Sequence, residues 1–219
     1  MAPRASAVIF DMDGVLVDSE PLWRVAEVET FAAFGIVLTP EQSEATLGLR
    51  IDDVVNLVVG ERQDVDRHAV GQATLARMRE LIAREGKALP GAKAAVDRAG
   101  ARGLKVGLAS SSPRSLIDVV LMRLGLEGAF EAVHSAEDEP FGKPHPAVYL
   151  SAAARLGVAP ARCIAIEDSL RGVIAAKAAS MRCVAVPAKA DARFAVADVV
   201  LSSLTELNDE VWGKLSSLA

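Results

Sequence analysis

Cysteine is scarce, with only Cys163 and Cys183 in 219 residues. Both sit inside apolar runs and read as small hydrophobes, which argues against a disulfide framework and for a reducing, cytoplasmic compartment. Aromatic residues make only 4% of the chain, so packing has to rest on Ala, Val and Leu. No stretch is long and apolar enough to span a bilayer, and the N-terminus shows no basic region followed by an apolar segment and a cleavage site. Blocks of one charge are missing too: 24 basic and 29 acidic residues are interspersed, for a net charge of -5. That leaves no basic face for nucleic acid or anionic lipid, and an anionic ligand would need locally placed cations. A soluble protein is expected, without nucleic-acid or membrane partners. It is expected to be a monomer, since no large apolar stripe is left unassigned.

What is present is a rhythm. Short apolar, β-branched runs recur at Ala7–Phe10, Lys105–Ala109, Ala132–His134, Cys163–Ile166, Cys183–Val186 and Val199–Leu201. Amphipathic stretches lie between them at Ala92–Ala101, Pro113–Leu124, Pro146–Leu156 and Leu170–Ala179. Such alternation predicts an α/β fold, a Rossmann-like parallel sheet covered by helices on both faces. One segment breaks the rhythm. From about Pro21 to Gly86 the pattern is helical, with Leu22–Phe34, Ile51–Val59 and Asp64–Arg84 reading as helices and Gly35, Gly48 and Gly60 as punctuation. The simplest account is a helical insert, residues 17–86, forming a cap over a core made of 1–16 and 87–219. Its links are expected near Val17–Glu20 and Glu85–Pro90.

Open parallel sheets bind ligands at the carboxyl ends of their strands, where strand order reverses. Four such ends carry suggestive groups. The first strand runs into Asp11 and Asp13, two carboxylates one residue apart beside Gly14. Adjacent acids repel and are costly to desolvate, so a site must compensate them, usually with a cation. The second strand ends in Ser110-Ser111-Ser112-Pro113. A later loop reads Gly142-Lys143-Pro144-His145-Pro146, and the fourth strand ends in Glu167-Asp168-Ser169. Each has a plainer explanation. A lone Asp-x-Asp is more often a solvated turn. Ser112 reads as an N-cap with Pro113 at the first helical position, which leaves Ser110 free. Lys143 has the composition of a surface lysine, although two prolines stiffen its loop. Ser169 caps the next helix, with two acids favourably placed at its dipole.

Taken in order, Asp-x-Asp-Gly-x-x-x-Asp-Ser, the Ser of Leu108-Ala109-Ser110, the Lys of Gly-Lys-Pro-His-Pro and Glu-Asp-Ser resemble the haloacid-dehalogenase-like superfamily, essentially end to end. The resemblance is greater to its sugar-phosphate phosphatase and phosphomutase branch, which carries a helical cap after the first motif. It implies a phosphatase dependent on Mg²⁺. Asp11 would be the nucleophile forming an aspartyl-phosphate, and Asp13 the general acid and then base. Asp11, the Asp13 carbonyl and Asp168 would ligate the metal, with Glu167 acting through a bound water. Ser110, the Ser111 amide and Lys143 would hold phosphoryl oxygens. Glu20, Trp23, Leu47, Gly48, Leu49 and Arg50 lie where caps of this branch face the core and set the substrate, a small phosphorylated sugar or polyol. For Trp23, plain lid packing is the alternative. For Arg50 the alternatives are a solvated side chain and a contact to a sugar hydroxyl or second phosphate. Leu81 and Ile82 read only as packing.

The departures from relatives are informative. Trp23, four residues after Ser19, stands where β-phosphoglucomutases have a cap histidine, and Leu47 stands where they have a cap lysine. Both differences favour release of phosphate to water over transfer within one sugar. No lysine lies between Asp13 and Glu85, so the Schiff-base chemistry of phosphonate-cleaving relatives is excluded, and Asp13 is the aspartate that dehalogenases lack. A phosphomutase and a non-catalytic sugar-phosphate sensor remain the competing functions.

Overall fold

The computed structural model describes residues 5–217. Its six strands form one parallel sheet in the order β3-β2-β1-β4-β5-β6. They are β1 (Ala7–Phe10), β2 (Lys105–Ser110), β3 (Ala132–Ser135), β4 (Cys163–Glu167), β5 (Arg182–Ala185) and β6 (Val199–Val200). The doubly wound α/β architecture is the one the strand–helix alternation predicts. Strand order reverses at β1, which pairs with β2 on one side and β4 on the other.

Alternation along the strands explains how so few aromatics suffice. On one face Val8, Phe10, Val106, Leu108, Ile164, Ile166 and Val184 present large side chains. On the other, Ala7, Ile9, Ala109, Cys163, Ala165, Cys183 and Ala185 are mostly small. Helices α5 (Ala92–Ala101), α6 (Arg114–Leu124) and α9 (Asp209–Ser217) cover the first face. The alanine-rich α7 (Ala147–Leu156) and α8 (Leu170–Ala178) approach the second closely. Each large side chain taken fully out of water contributes roughly 1.5–3 kcal/mol before conformational entropy is charged against it. Both cysteines are free and buried in this second layer.

Between β1 and α5 lie α1 (Glu20–Ala33), α2 (Pro40–Ala45), α3 (Ile51–Val59) and α4 (Arg67–Glu85). Phe31, Ile36, Val54, Val55, Val58, Val59 and Val70 form a separate cluster there. The α2 turn is absent from the periodicity, yet its signal is in the chain: Thr39 and Gln42 make a reciprocal capping box. The long α4 links two environments. Val70 joins the cluster of the insert, whereas Leu75, Met78, Leu81 and Ile82 pack into the large-residue face of the sheet core. Leu81 and Ile82 are thus packing residues of the core. The two links run side by side: Asp18 N–H donates to the Lys87 carbonyl at 2.9 Å and Leu89 N–H to that of Leu16 at 3.0 Å. Among the described residues no helix is long and apolar enough to cross a membrane.

Candidate active site

All four sequence-singled strand ends meet at the reversal of strand order. Asp11 follows β1, and Lys143 Nζ lies 2.9 Å from its Oδ1 and 2.5 Å from Glu167 Oε1. The Lys143 side chain is 1% exposed, so its charge is matched by acids rather than water, as a buried ammonium requires. The surface alternative for Lys143 is therefore overturned. The Lys143–Pro144 peptide is cis, and the loop delivers the lysine inward before α7 begins.

Glu167 is fully buried. Its Oε1 accepts from Lys143 Nζ and from the Tyr149 hydroxyl at 2.6 Å. Its Oε2 accepts from the Asp168 amide and from the amide and hydroxyl of Ser169 at 3.1–3.3 Å. Both oxygens are thus engaged by protein donors, whereas the family resemblance implies that Glu167 acts through a metal-bound water. Ser169 caps α8 as expected, accepting from Gly172 N–H at 3.1 Å. Gly172 itself is required by contact: a Cβ there would lie 1.8 Å from Glu167 Oε1.

Asp13 sits in a second set of bonds. Its Oδ1 accepts from Ser19 Oγ at 2.7 Å and Trp23 Nε1 at 3.0 Å, and its Oδ2 from Ser112 Oγ at 2.8 Å. Ser110 Oγ reaches the same Oδ2 at the long distance of 3.5 Å and accepts from Ser112 N–H at 3.0 Å. Two expectations are corrected here. Ser112 is not the N-cap of α6; Pro113 holds that position without a side-chain cap bond, because the Ser112 hydroxyl is committed to Asp13. Trp23 is more than lid packing, since its indole N–H reaches the acid.

The segment 47–50 touches the sheet core. Gly48 O accepts from Ser111 Oγ at 2.9 Å and Leu47 O from Arg171 at 3.2 Å. Arg50 is not the solvated side chain of one alternative. It pairs with Asp53 at 2.8 Å and donates to the carbonyl of Glu139 at 2.9 Å, so it is bound to protein on both sides of the seam. It lines a cleft of about 450 Å³ with Leu49, Asn56, Phe141, Lys143 and Arg171. Glu20 pairs with Arg24 across one helical turn at 3.9 Å and is 44% exposed. Leu47 is exposed.

Four acids against one lysine leave the centre short of positive charge. Burial, with Glu167 and Asp13 adding to it against Lys143, pushes the Asp11 carboxyl up to about 8. Burial, followed by Glu167 and Asp11, pushes Asp168 well above the usual carboxylate range. Oxygens of Asp11, Glu167 and Asp168 lie within 4.8 Å of one another. Asp11 Oδ1 is buried without a well-aligned hydrogen bond, Lys143 standing at ion-pair distance only. An all-oxygen donor set in which the buried Asp11 Oδ1 lacks a well-aligned hydrogen bond fits a hard divalent cation. Gly14 keeps this corner open: its φ is +70° and a Cβ would fall 1.9 Å from Asp168 Oδ2.

A family model for haloacid dehalogenase-like hydrolases matches residues 5–180. Hexitol phosphatase B of Escherichia coli (strain K12) is 47% identical over 207 residues, covering 92% of this chain and 93% of that one. Among solved structures, β-phosphoglucomutase from Clostridium difficile superimposes with a TM-score of 0.87 at 25% identity, covering 96% of this chain and 97% of that one. A structure of CbbY from Rhodobacter sphaeroides in complex with phosphate gives 0.83 at 27% identity, covering 93% and 96%. An acid–lysine–acid centre at the reversal of a parallel sheet, on a chain with such relatives, defines a phosphoric monoester hydrolase. The chain belongs to the haloacid dehalogenase-like hydrolase family.

Proposed function

We propose that the enzyme hydrolyses phosphate esters of small sugars and sugar alcohols, of the hexose 6-phosphate, 2-deoxyglucose 6-phosphate and hexitol phosphate type, with Mg²⁺ as cofactor. The observation that carries this reading is the meeting of Asp11, Ser110, Lys143 and Asp168 at the ends of β1, β2 and β4 and the loop before α7. Hexitol phosphatase B at 47% identity supports the substrate class.

In this mechanism Asp11 attacks phosphorus and the ester oxygen departs with a proton from Asp13, leaving an aspartyl-phosphate on Asp11. Water then attacks that phosphorus, gives its proton back to Asp13 and releases inorganic phosphate with Asp11 restored. Lys143, Ser110 and the Ser111 amide hold the non-bridging oxygens, which is most of what phosphoryl transfer asks of a protein. The Asp11 and Asp168 carboxylates and the Asp13 carbonyl would hold the metal, with Glu167 behind them. When bound, Mg²⁺ offsets the acid cluster and the phosphoryl charge, keeping Asp11 ionised. Residues 17–86 act as the cap. Glu20, Trp23, Leu47, Gly48, Leu49 and Arg50 shape what enters. A cytoplasmic location suits the two free cysteines.

The test is phosphate release across a panel of hexose, pentose and polyol phosphates, with Mg²⁺ and with EDTA. Turnover confined to sugar and polyol phosphates and lost in EDTA is expected. Full activity in Asp11→Asn would overturn the mechanism. Glucose 6-phosphate as the main product from β-glucose 1-phosphate and a bisphosphate activator would make the enzyme a mutase. Absence of any turnover would favour a sugar-phosphate sensor.

A further inference from the structure

Tyr149 is the only tyrosine in the chain, and it stands in the first turn of α7 among alanine, valine and leucine. It is fully buried. Packing alone would be served by phenylalanine, so the hydroxyl needs a reason, and it has one: it donates to Glu167 Oε1 at 2.6 Å. Its ring centroid lies 5.3 Å from Lys143 Nζ, within cation–π range. One side chain therefore touches both members of the Lys143–Glu167 pair.

Glu167 Oε1 is shared between two donors, the phenol and the ammonium. Lys143 in turn has three N–H groups, and Asp11 and Glu167 face two of them. Were the phenol removed, Oε1 would keep Lys143 as its single donor. A buried carboxylate oxygen left short of donors draws the remaining one more strongly. Lys143 would then be held towards Glu167 and away from Asp11 and the phosphoryl oxygens.

We propose that Tyr149 is a positioning residue that, by sharing Glu167 Oε1 with Lys143 and seating its ring beside the ammonium, keeps Lys143 available to phosphate. This role rests on the assignment of Lys143 as the phosphate-holding cation.

The test compares the parent enzyme with Tyr149→Phe, which keeps the ring and deletes the hydroxyl. Inhibition by inorganic phosphate, KM and kcat for a turned-over sugar phosphate, the Mg²⁺ concentration for half-maximal rate and the melting temperature are measured together. The expected result is a roughly tenfold weaker phosphate inhibition and a KM raised by a similar factor, about the effect of one lost hydrogen bond, with the Mg²⁺ requirement within twofold. Phosphate inhibition and KM both within twofold of the parent would overturn the role, whatever the melting temperature does. Because the chain has a single tyrosine, growth on 3-fluorotyrosine places one fluorine label at this site alone. Its ¹⁹F resonance is expected to move on adding inorganic phosphate with Mg²⁺, because the ring stands 5.3 Å from the Lys143 ammonium that phosphate would engage. This arm decides the matter if Tyr149→Phe does not fold; a resonance unmoved by phosphate that demonstrably inhibits would overturn the role. If phosphate neither inhibits nor binds the parent, the assignment of the site fails first, and this role with it.

Discussion

Trp23 Nε1, on the first helix of the insert, donates to Asp13 Oδ1 at 3.0 Å across the seam to the sheet. On the other side of the same carboxylate, Ser112 Oγ donates to Oδ2 at 2.8 Å from the loop after β2. Asp13, the proposed acid/base, is thus held between α1 and the loop after β2, and its orientation depends on both being in place. An indole N–H donates but neither accepts nor titrates, so it can orient Asp13 without relaying a proton itself.

Trp23→Phe keeps the aromatic bulk and removes the donor. An intramolecular hydrogen bond is worth roughly 0.5–1.5 kcal/mol, so kcat is expected to fall by about threefold to tenfold, with KM within about threefold. Ser112→Ala is expected to act in the same direction. Steady-state kinetics on one sugar phosphate checks both, and an unchanged kcat in Trp23→Phe would show that the bond does not orient the acid.

Arg50 joins the start of α3 to the carbonyl of Glu139 while paired with Asp53. Arg50→Ala is expected to lower kcat/KM by about tenfold and to speed amide exchange across Ile51–Val59, because the insert loses a bond to the core. Lysine at this position would recover little, since one ammonium cannot serve Asp53 and a carbonyl in the fork geometry of guanidinium. Unchanged exchange in Arg50→Ala would remove the link between this bond and insert mobility.

The sheet was legible because its signal is local. β1, α3 and α5 fall on the stretches that periodicity marks, and most other bounds lie within one or two residues. The strand-end logic also brought Asp11, Asp13, Ser110, Lys143, Glu167 and Asp168 into one place. What stayed hidden was partner choice. Ser112 has every local feature of an N-cap, yet an acid 99 residues away takes its hydroxyl. Arg50 looks free to be solvated until a carbonyl 89 residues on is seen beside it. Tyr149 carries no motif, and its one hint is being a lone tyrosine in an alanine-rich helix. Such bonds are set by the crossing of elements in space, which no spacing along the chain encodes.

Gly14 and Gly172 test the packing of the acid cluster. A methyl at Gly14 would fall 1.9 Å from Asp168 Oδ2, at a φ of +70° that disfavours alanine. Gly14→Ala is expected to displace Asp168 and raise the Mg²⁺ concentration for half-maximal rate by at least tenfold. Asp168→Asn is expected to do the same without the backbone strain. Gly172→Ala drives a methyl into the buried Glu167 carboxylate, an overpacking expected to cost roughly 1–3 kcal/mol or more, visible as a lowered melting temperature. Wild-type metal dependence in Gly14→Ala would mean that Asp168 does not meet the cation.

Glu27 gives a pH-dependent prediction away from the centre. It is buried on α1, and burial, opposed only in part by Arg24 one turn earlier, pushes its carboxyl up to about 7 from 4.5. Between pH 4.5 and 7 the folded chain keeps this proton while the unfolded chain has lost it. The folded state therefore binds more protons, and the contribution of Glu27 to stability falls as pH rises through that window. Above pH 7 the full cost is present, about 3 kcal/mol at about 1.36 kcal/mol per pH unit; below 4.5 it vanishes. Glu27→Gln, neutral throughout, should melt at nearly the same temperature as the parent at pH 4.5 and several degrees higher at pH 8. The acids of the active site titrate in both proteins and cancel in the comparison. A melting difference between the two that is flat across this range would show that Glu27 is ionised at little cost in the folded chain.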